Sequence, residues 1–397
     1  MAASLAGRLR RLWFNVHLWL GVGLMAALIP IGASGALLVW ERPLDRALHP
    51  ARYAVTGTKV ALPLSAYADV AATAFAGKAQ LAQLSLPERP GDPVIARGRI
   101  AGTPGPNGRP RMLNAWIDPP TGAPLEVAER GQNILTFMHR LHGHLMIPKV
   151  GRKVVGWMGW ALFASSATGL WLWWPRGGAI LKGLRWRRGP STLFNLHHVV
   201  GFWICAPLAV LSLTGVYMSF PQTSRAVIAR LLPQTAQAAE PGAHPGRPPT
   251  AGAAPAPRQQ SGPATDGLPP TARRPKLTLD QVVARAREGR PQAPLEAIDL
   301  PVDDNRVWRV RLTDPDTKGA LMLQVVDATG EVRPEGGPGQ GDPLMPLIAR
   351  VHVGAAMGPV WQVVITLGGL APPVLGITGL IMWLRSRRRR AAQGVSN

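Results

Sequence analysis

The chain has 397 residues, 46% of them apolar, with a formal net charge of +22 and one cysteine. The lone Cys205 excludes an intramolecular disulfide and a Cys-x-x-Cys-His haem attachment, which needs two thiols. Much of the positive charge gathers at the ends of apolar runs, as in the positive-inside pattern, so no nucleic-acid partner is expected.

Residues 1–12 read as a short cytoplasmic arm with Arg8, Arg10 and Arg11. The apolar run 13–40 is long enough to cross a bilayer, which takes about 20 apolar residues. It is too long for the h-region of a signal peptide, and no small-x-small cleavage site follows, so it reads as a membrane anchor. Trp13 and Trp19 mark one interface and Trp40 the other. Pro30 is expected to bend the helix. Residues 41–138 form a first extracytoplasmic excursion. Within it Leu64–Ala79 reads as a helix, Leu113–Asp118 alternates like a strand, Pro119–Gly122 turns and Pro124–Val127 returns. A Gly/Pro-rich insert occupies about 88–110. Residues 134–147 have helical apolar spacing, so 139–153 is expected as an outer surface helix leading into a second span at 154–174.

A basic loop at 175–195 carries Arg176, Lys182, Arg185, Arg187 and Arg188 and returns the chain to a third span at 196–220. Residues 221–275, rich in Pro, Ala, Gly and Gln, have the composition of a disordered linker. A second excursion, 276–345, repeats the pattern of the first. Leu277–Gly289 reads as a helix opened by Thr278 as N-cap, Trp308–Leu312 alternates, Leu321–Val326 is a strand, and Asp327–Gly330 turns into its return. A surface segment at 346–357 carries His352. Its Gly354 and Gly358, four apart, read as points of close backbone approach. The fourth span, 358–384, is expected to kink or break at Pro372-Pro373, and a basic tail at 385–397 ends the chain. The fold class is therefore a membrane α-helical protein of four transmembrane helices with both termini cytoplasmic and two small α+β extracytoplasmic modules.

The spans repeat. His17, Gly21, Ser34 and Gly35 return as His197, Gly201, Thr214 and Gly215, each 180 positions on. His142, Thr168 and Gly169 return as His352, Thr378 and Gly379, each 210 positions on. The four helices are thus a tandem duplication.

Ionisable residues at membrane depth are rare and point to function. The antiparallel topology puts His17 at the inner face with His197 or His198, and His142 at the outer face with His352. His198 points about 100° away from His197 on a helix. His139 shares a face with His142 and stays an alternate, as does His144. Met138, Met146 and Met357 read as packing, and His49 and His244 as surface residues. Neutral imidazole suits haem iron, zinc or copper. Zinc or copper would want three or four protein ligands, and no Cys, Asp or Glu lies at the depth of the inner pair. Haem needs only axial ligands and an apolar slot, and Gly21 and Gly201, one turn past the inner histidines, would leave room for a porphyrin. With no attachment cysteines, two b-type haems are expected. Six-coordinate iron has no open position for oxygen, which favours electron transfer, with quinol or a cytosolic reductase as donor.

Four apolar segments, His17-x-x-x-Gly21, Arg140-Leu141-His142, Leu196-His197-x-x-x-Gly201, Val351-His352-x-Gly354 and the Ser/Thr-Gly elements together resemble the PepSY-associated transmembrane family. The Asp118–Gly122 and Asp327–Gly330 turns are similar to the ends of its PepSY modules. That family includes iron-regulated inner-membrane proteins and siderophore reductases. The resemblance implies a bacterial inner-membrane protein in which His17 and His197 bind one haem and His142 and His352 the other. It also implies reduction of a ferric siderophore on the periplasmic side. Ferrous iron is held less tightly by hard oxygen donors, so one electron releases it. The alternative is a PepSY-type membrane binding or regulatory protein without redox activity. A permease is the third reading.

Overall fold

Long apolar runs without acidic residues become long helices, and the shorter alternating runs become strands. The computed structural model describes residues 5–102, 110–174, 191–231, 275–301, 306–315, 319–335, 344–354, 357–392 and 394. In chain order the elements are α1 (Leu5–Leu38), α2 (Glu41–Leu48), α3 (Leu64–Ala74), β1 (Ala79–Ser85), β2 (Val94–Ile100), β3 (Met112–Ile117), β4 (Pro124–Glu129), α4 (Ile134–His144) and α5 (Gly151–Trp173). There follow α6 (Thr192–Ser219), α7 (Pro221–Leu231), α8 (Leu279–Ala286), β5 (Leu295–Asp299), β6 (Val307–Thr313), β7 (Ala320–Val326), β8 (Val332–Pro334), α9 (Met345–Val353) and α10 (Pro359–Ala392). The chain divides into one unit of Met1–Leu48, Gly131–Leu231 and Asp342–Asn397 and another of His49–Arg130 and Leu232–Gly341.

The first unit is helical. Gly7–Leu38, Thr192–Ser219 and Pro359–Arg389 are long and apolar enough to cross a membrane. The starts of α6 and α4 are capped from the preceding residue: Ser191 Oγ accepts from the Phe194 amide and Asn133 Oδ1 from the Thr136 amide, as N-cap side chains do. Glycines set how closely the helices approach. A Cβ on Gly32 of α1 would collide with the carbonyl oxygen of Gly369 in α10, and one on Gly159 of α5 would lie 2.8 Å from Val216 of α6.

Several expectations change. Helix α10 runs unbroken through Pro372 and Pro373. Pro373 has no N–H to offer the Gly369 carbonyl, four residues back, and that carbonyl faces Gly32 of the neighbouring helix. The expected linker begins late, because Pro221–Leu231 is helical. The remainder of that linker, 232–274, and most of the basic loop, 175–190, lie outside the described residues. The N-terminal arm is mostly helix, since α1 starts at Leu5. Gly354 ends α9 in a left-handed conformation with φ of 79° and also makes the expected close approach, since a Cβ there would lie 2.8 Å from Ile365 of α10, whereas Gly358, with φ of 84°, has nothing near its missing Cβ among the described residues. These two glycines serve backbone reversal, which needs the missing side chain at positive φ.

The second unit holds one eight-stranded sheet, antiparallel throughout, in the order β4-β3-β2-β1-β5-β6-β7-β8. Its two four-stranded halves join along β1 and β5, where Leu84 opposes Ile298, Gln83 opposes Asp299 and Ser85 opposes Ala297. Neither strand has the alternating pattern that marks β3 and β6 in the sequence. The helical signal runs to Ala79, whereas α3 ends at Ala74 and Ala76 and Gly77 turn the chain with positive φ. The stretch 88–110 reads in sequence as an insert, yet β2 lies inside it. Helix α3 covers one half of the sheet, with Tyr67, Ala71 and Phe75 packed among Leu84, Val94, Ala96, Ala115 and Ile117. Helix α8 covers the other, with Val282, Val283 and Ala286 among Trp308, Val310, Leu312 and Val325. The Asp280 carboxylate of α8 accepts from the Leu64 and Ser65 amides of α3, so one half caps the helix of the other.

Each half is pinned by a buried aspartate after its third strand. Asp118 accepts from the Thr56 amide at 2.8 Å, the Thr56 hydroxyl at 2.6 Å and the Thr121 hydroxyl at 2.5 Å. Asp327 accepts from the Lys276 and Leu277 amides and from Trp308 Nε1 at 3.0 Å. Burial alone would raise both carboxyls, but these donors outweigh it and hold both below the usual carboxylate range. A carboxyl depressed in the folded state stabilises above its unfolded value near 4, and loses that contribution as pH falls through its folded value. Thermal melts followed by circular dichroism should therefore show the second unit weakening on acidification below about pH 4. Asp118→Asn and Asp327→Asn should each cost about 1–3 kcal/mol at neutral pH and flatten that acid dependence.

Candidate functional site

Four histidines of the helical unit are each seated on a glycine of a neighbouring helix. A Cβ built on Gly169 of α5 would lie 3.0 Å from the His17 ring, and one on Gly35 of α1 only 2.6 Å from His142. The second half repeats this: Gly379 of α10 meets His197 and Gly215 of α6 meets His352, each at 3.3 Å. These are the glycines of the Ser/Thr-Gly elements. The sequence reading used those elements as markers of the duplication and did not see them as seats. The signal was present, since the spacing from histidine to Ser/Thr-Gly is the same in both copies.

The residue before each glycine, or a carbonyl one turn earlier, holds the imidazole. His17 Nδ1 lies 3.1 Å from the Ser165 carbonyl and 3.2 Å from Thr168 Oγ1. His142 Nδ1 is 2.9 Å from the Ile31 carbonyl. His197 Nδ1 is 3.0 Å from Thr378 Oγ1, and His352 Nδ1 is 2.8 Å from Thr214 Oγ1. Both threonines spend their own protons on carbonyls of their helices, Val374 and Val210, so each hydroxyl is left as an acceptor for the imidazole. A carbonyl or a hydroxyl used in this way demands a donor, which places the proton of all four neutral rings on Nδ1 and the lone pair on Nε2. Burial pushes His142 below the ordinary imidazole range, and burial with the neighbouring His142 takes His352 down to about 4. Both are therefore neutral at pH 7.

The rings meet in two pairs. His17 and His197 have centroids 6.3 Å apart with planes at 87°, and His142 and His352 have centroids 6.1 Å apart with planes at 52°. Each half contributes one ring to each pair and seats that ring on its own glycine. Neutral imidazoles with Nε2 unprotonated and Nδ1–H bonded to an oxygen have the arrangement that fixes a histidine as a metal ligand. Gly21 and Gly201 lie one turn past His17 and His197: among the described residues nothing lies within 4 Å of a Cβ on Gly21, and only a Leu375 methyl, at 3.9 Å, near one on Gly201.

The alternates have other partners. The His198 ring centroid also stands 6.3 Å from that of His197, but the ring stacks on Phe194 with centroids 3.8 Å apart and bonds the Phe194 carbonyl of its own helix. His139 bonds the Leu135 carbonyl and approaches Glu41 of α2 at 3.6 Å. Met146 and Met357 are 37% and 41% exposed. His244 lies outside the described residues.

A family model described as the PepSY-associated TM region matches residues 14–386. No curated protein matches the chain.

The two classes of glycine should respond oppositely to a methyl group. Gly35→Ala forces the His142 ring from its seat and should cost about 1–3 kcal/mol. Gly23→Ala, also on α1 with nothing within 4 Å of the added Cβ among the described residues, should be neutral or stabilising by up to about 1 kcal/mol. Melting temperatures of the detergent-purified variants check both.

Proposed function

Because the chain belongs to the PepSY-associated transmembrane family, we propose that it is an inner-membrane oxidoreductase of a bacterium that carries two b-type haems. It passes electrons outward to reduce a ferric siderophore in the periplasm, and ferrous iron is released. The observation that carries this reading is that in each of the two ring pairs both Nδ1 atoms face an oxygen on a neighbouring helix, which leaves both Nε2 atoms of the pair for a metal.

His17 and His197 would hold one haem, and His142 and His352 the other. A haem so held supplies a one-electron carrier with no open coordination position. The chain's own part is to keep each Nδ1 proton on its oxygen partner, to present each Nε2, and to leave a side-chain-free surface at Gly21 and Gly201. Helix α1 bears His17 and, 18 residues on, the Gly35 that seats His142. At 1.5 Å per residue that is about 27 Å of rise, nearly the hydrocarbon thickness, so one pair lies toward each face.

Helix α5, with 23 residues, is about 35 Å long and serves as the second of four spans. Arg8, Arg10 and Arg11 before the first span and Arg385 and Arg387 to Arg390 at the end of the last put both termini in the cytoplasm. The sheet unit then lies in the periplasm, and its two halves are the PepSY-like modules. The donor on the inner side is quinol or a cytosolic reductase.

The purified protein should show two low-spin b-type haems per chain in a reduced-minus-oxidised spectrum and a pyridine haemochrome count. His142→Ala or His352→Ala should remove one haem, and His17→Ala or His197→Ala the other. His198→Ala and His139→Ala should keep both. A protein without haem after expression with ample haem supply sinks the reading.

A further inference from the structure

The face of the eight-stranded sheet turned away from α3 and α8 carries a polar row beside a row that includes Trp116, Ile95 and Met322. One row of side chains runs straight across it, strand to strand: Asn114, Arg97, Gln83, Asp299, Arg309 and Gln324. Arg97 donates to Gln83 Oε1, and Gln83 Nε2 donates to Asp299 Oδ1 at 2.5 Å. Arg309 donates to Glu335 at 2.8 Å. The next row places Arg311 opposite Ala297, which itself faces Ser85 across the β1–β5 seam. In that row Ser85 and Ala297 lie between Ile95 and Arg311, and Arg97 stands diagonally across from Ser85, two residues along β2 from Ile95.

Three polar atoms on this face are buried and lack a hydrogen-bond partner among the described residues: Arg97 Nε, Asn114 Oδ1 and Glu335 Oε2. A buried polar atom without a partner is destabilising. Such atoms call for a ligand, ion or water that supplies the bond. Burial and the like charges of Arg130 and Arg311 lower the pKa of Arg97, against the smaller opposing pull of Asp299 and Glu88. The group is a cation crowded by other cations.

We propose that this face, centred on the β1–β5 seam, is a binding site for a small polycarboxylate that also carries a hydroxyl group. Guanidinium is the side chain best matched to carboxylate, and the unpartnered Nε–H of Arg97 takes one of its oxygens. Strands β2 and β6 are three strand spacings apart, about 14 Å. Arginine arms from both sides close that distance around a molecule with several carboxylates and leave a simple monoanion unable to reach both. Asn114 Oδ1, directly opposite Arg97 on the neighbouring strand, is an acceptor and needs a donor, which the hydroxyl supplies. The physiological ligand is then a ferric hydroxycarboxylate chelate; that identification, unlike the site itself, rests on the reductase reading.

Isothermal titration of the full-length protein in detergent with citrate and with ferric citrate tests the site without any electron transfer. Saturable binding that weakens with added salt, and that falls by about tenfold or more in Arg97→Gln and in Arg311→Gln, is the expected result. Tricarballylate, which lacks the hydroxyl, should bind more weakly than citrate. No saturable binding of either citrate form, or an affinity in both variants unchanged from the unsubstituted protein, overturns the proposal. Binding of an Asp/Glu-rich peptide in place of citrate also overturns it, in favour of a protein partner. Circular dichroism melts of the variants separate lost binding from lost folding, and Arg311, at the side of the row, can be replaced without disturbing the Arg97–Gln83–Asp299 chain. Citrate binding by a haem-free protein would remove the reductase reading and leave the site, whereas haem without citrate binding would do the reverse.

Discussion

An imidazole inside an apolar helix bundle has one N–H that must find an oxygen, and the helical unit is arranged around meeting that demand four times. Each ring is pressed against a glycine, because only a bare Cα lets the ring reach the carbonyl or hydroxyl beside it. At Gly35 and His142 the clearance is least. The acceptors are main-chain carbonyls or threonine hydroxyls whose own protons are already committed to their helices. A fixed Nδ1 proton fixes which nitrogen keeps its lone pair. Ring orientation, tautomer and ring spacing therefore follow from a single hydrogen bond and a single missing side chain at each seat.

The same economy of side chains sets the helix packing. Where α1 crosses α10, Gly32 meets Gly369, and the carbonyl exposed there is the one that Pro373 leaves without its helical donor. Proline and glycine, both poor helix residues in water, act together here: one frees an oxygen and the other lets a neighbour approach it. In the sheet unit the solution is different. Apolar side chains from α3 and α8 fill one face, and buried carboxylates tie the chain leading into each helix to the turn that ends the third strand of its half.

The duplication, the apolar helices and the four histidines were legible in the sequence, because membrane segments are long and an offset of 180 or 210 positions needs no structure to be seen. The strands Ala79–Ser85 and Leu295–Asp299 were not. AQLAQLS and LEAID are short, lack the aromatic and β-branched density of Trp308–Leu312, and acquire their place only by pairing with each other. The helix signal of Leu64–Ala79 overran for a related reason: its alanines permit helix beyond Ala74, but Ala76 and Gly77 take positive φ and turn the chain ahead of strand β1. The role of Thr168, Thr214 and Thr378 was hidden because a hydroxyl in a membrane helix most often bonds its own backbone. These do so as well, and the second bond exists only once another helix brings a histidine alongside. His198 could be set apart from His197 by helix geometry, but its stacking on Phe194 is a tertiary fact.

Both histidine pairs join a residue to its own counterpart in the other half: His17 to His197, and His142 to His352. The seam of the sheet does the same, with antiparallel strands centred on Leu84 and Ile298. Only points on a two-fold axis have this property, so within each unit the pairs or the seam mark where such an axis runs. An isologous homodimer of half-length chains would make every one of these contacts unaided. Joining two copies into one chain frees them to diverge. Ser34 and Thr214, or Asp280 facing an α3 that returns no equivalent cap, show that freedom in use. A symmetric dimer must present the same surface twice, whereas the fused chain can make one copy of a surface for a ligand and the other for something else.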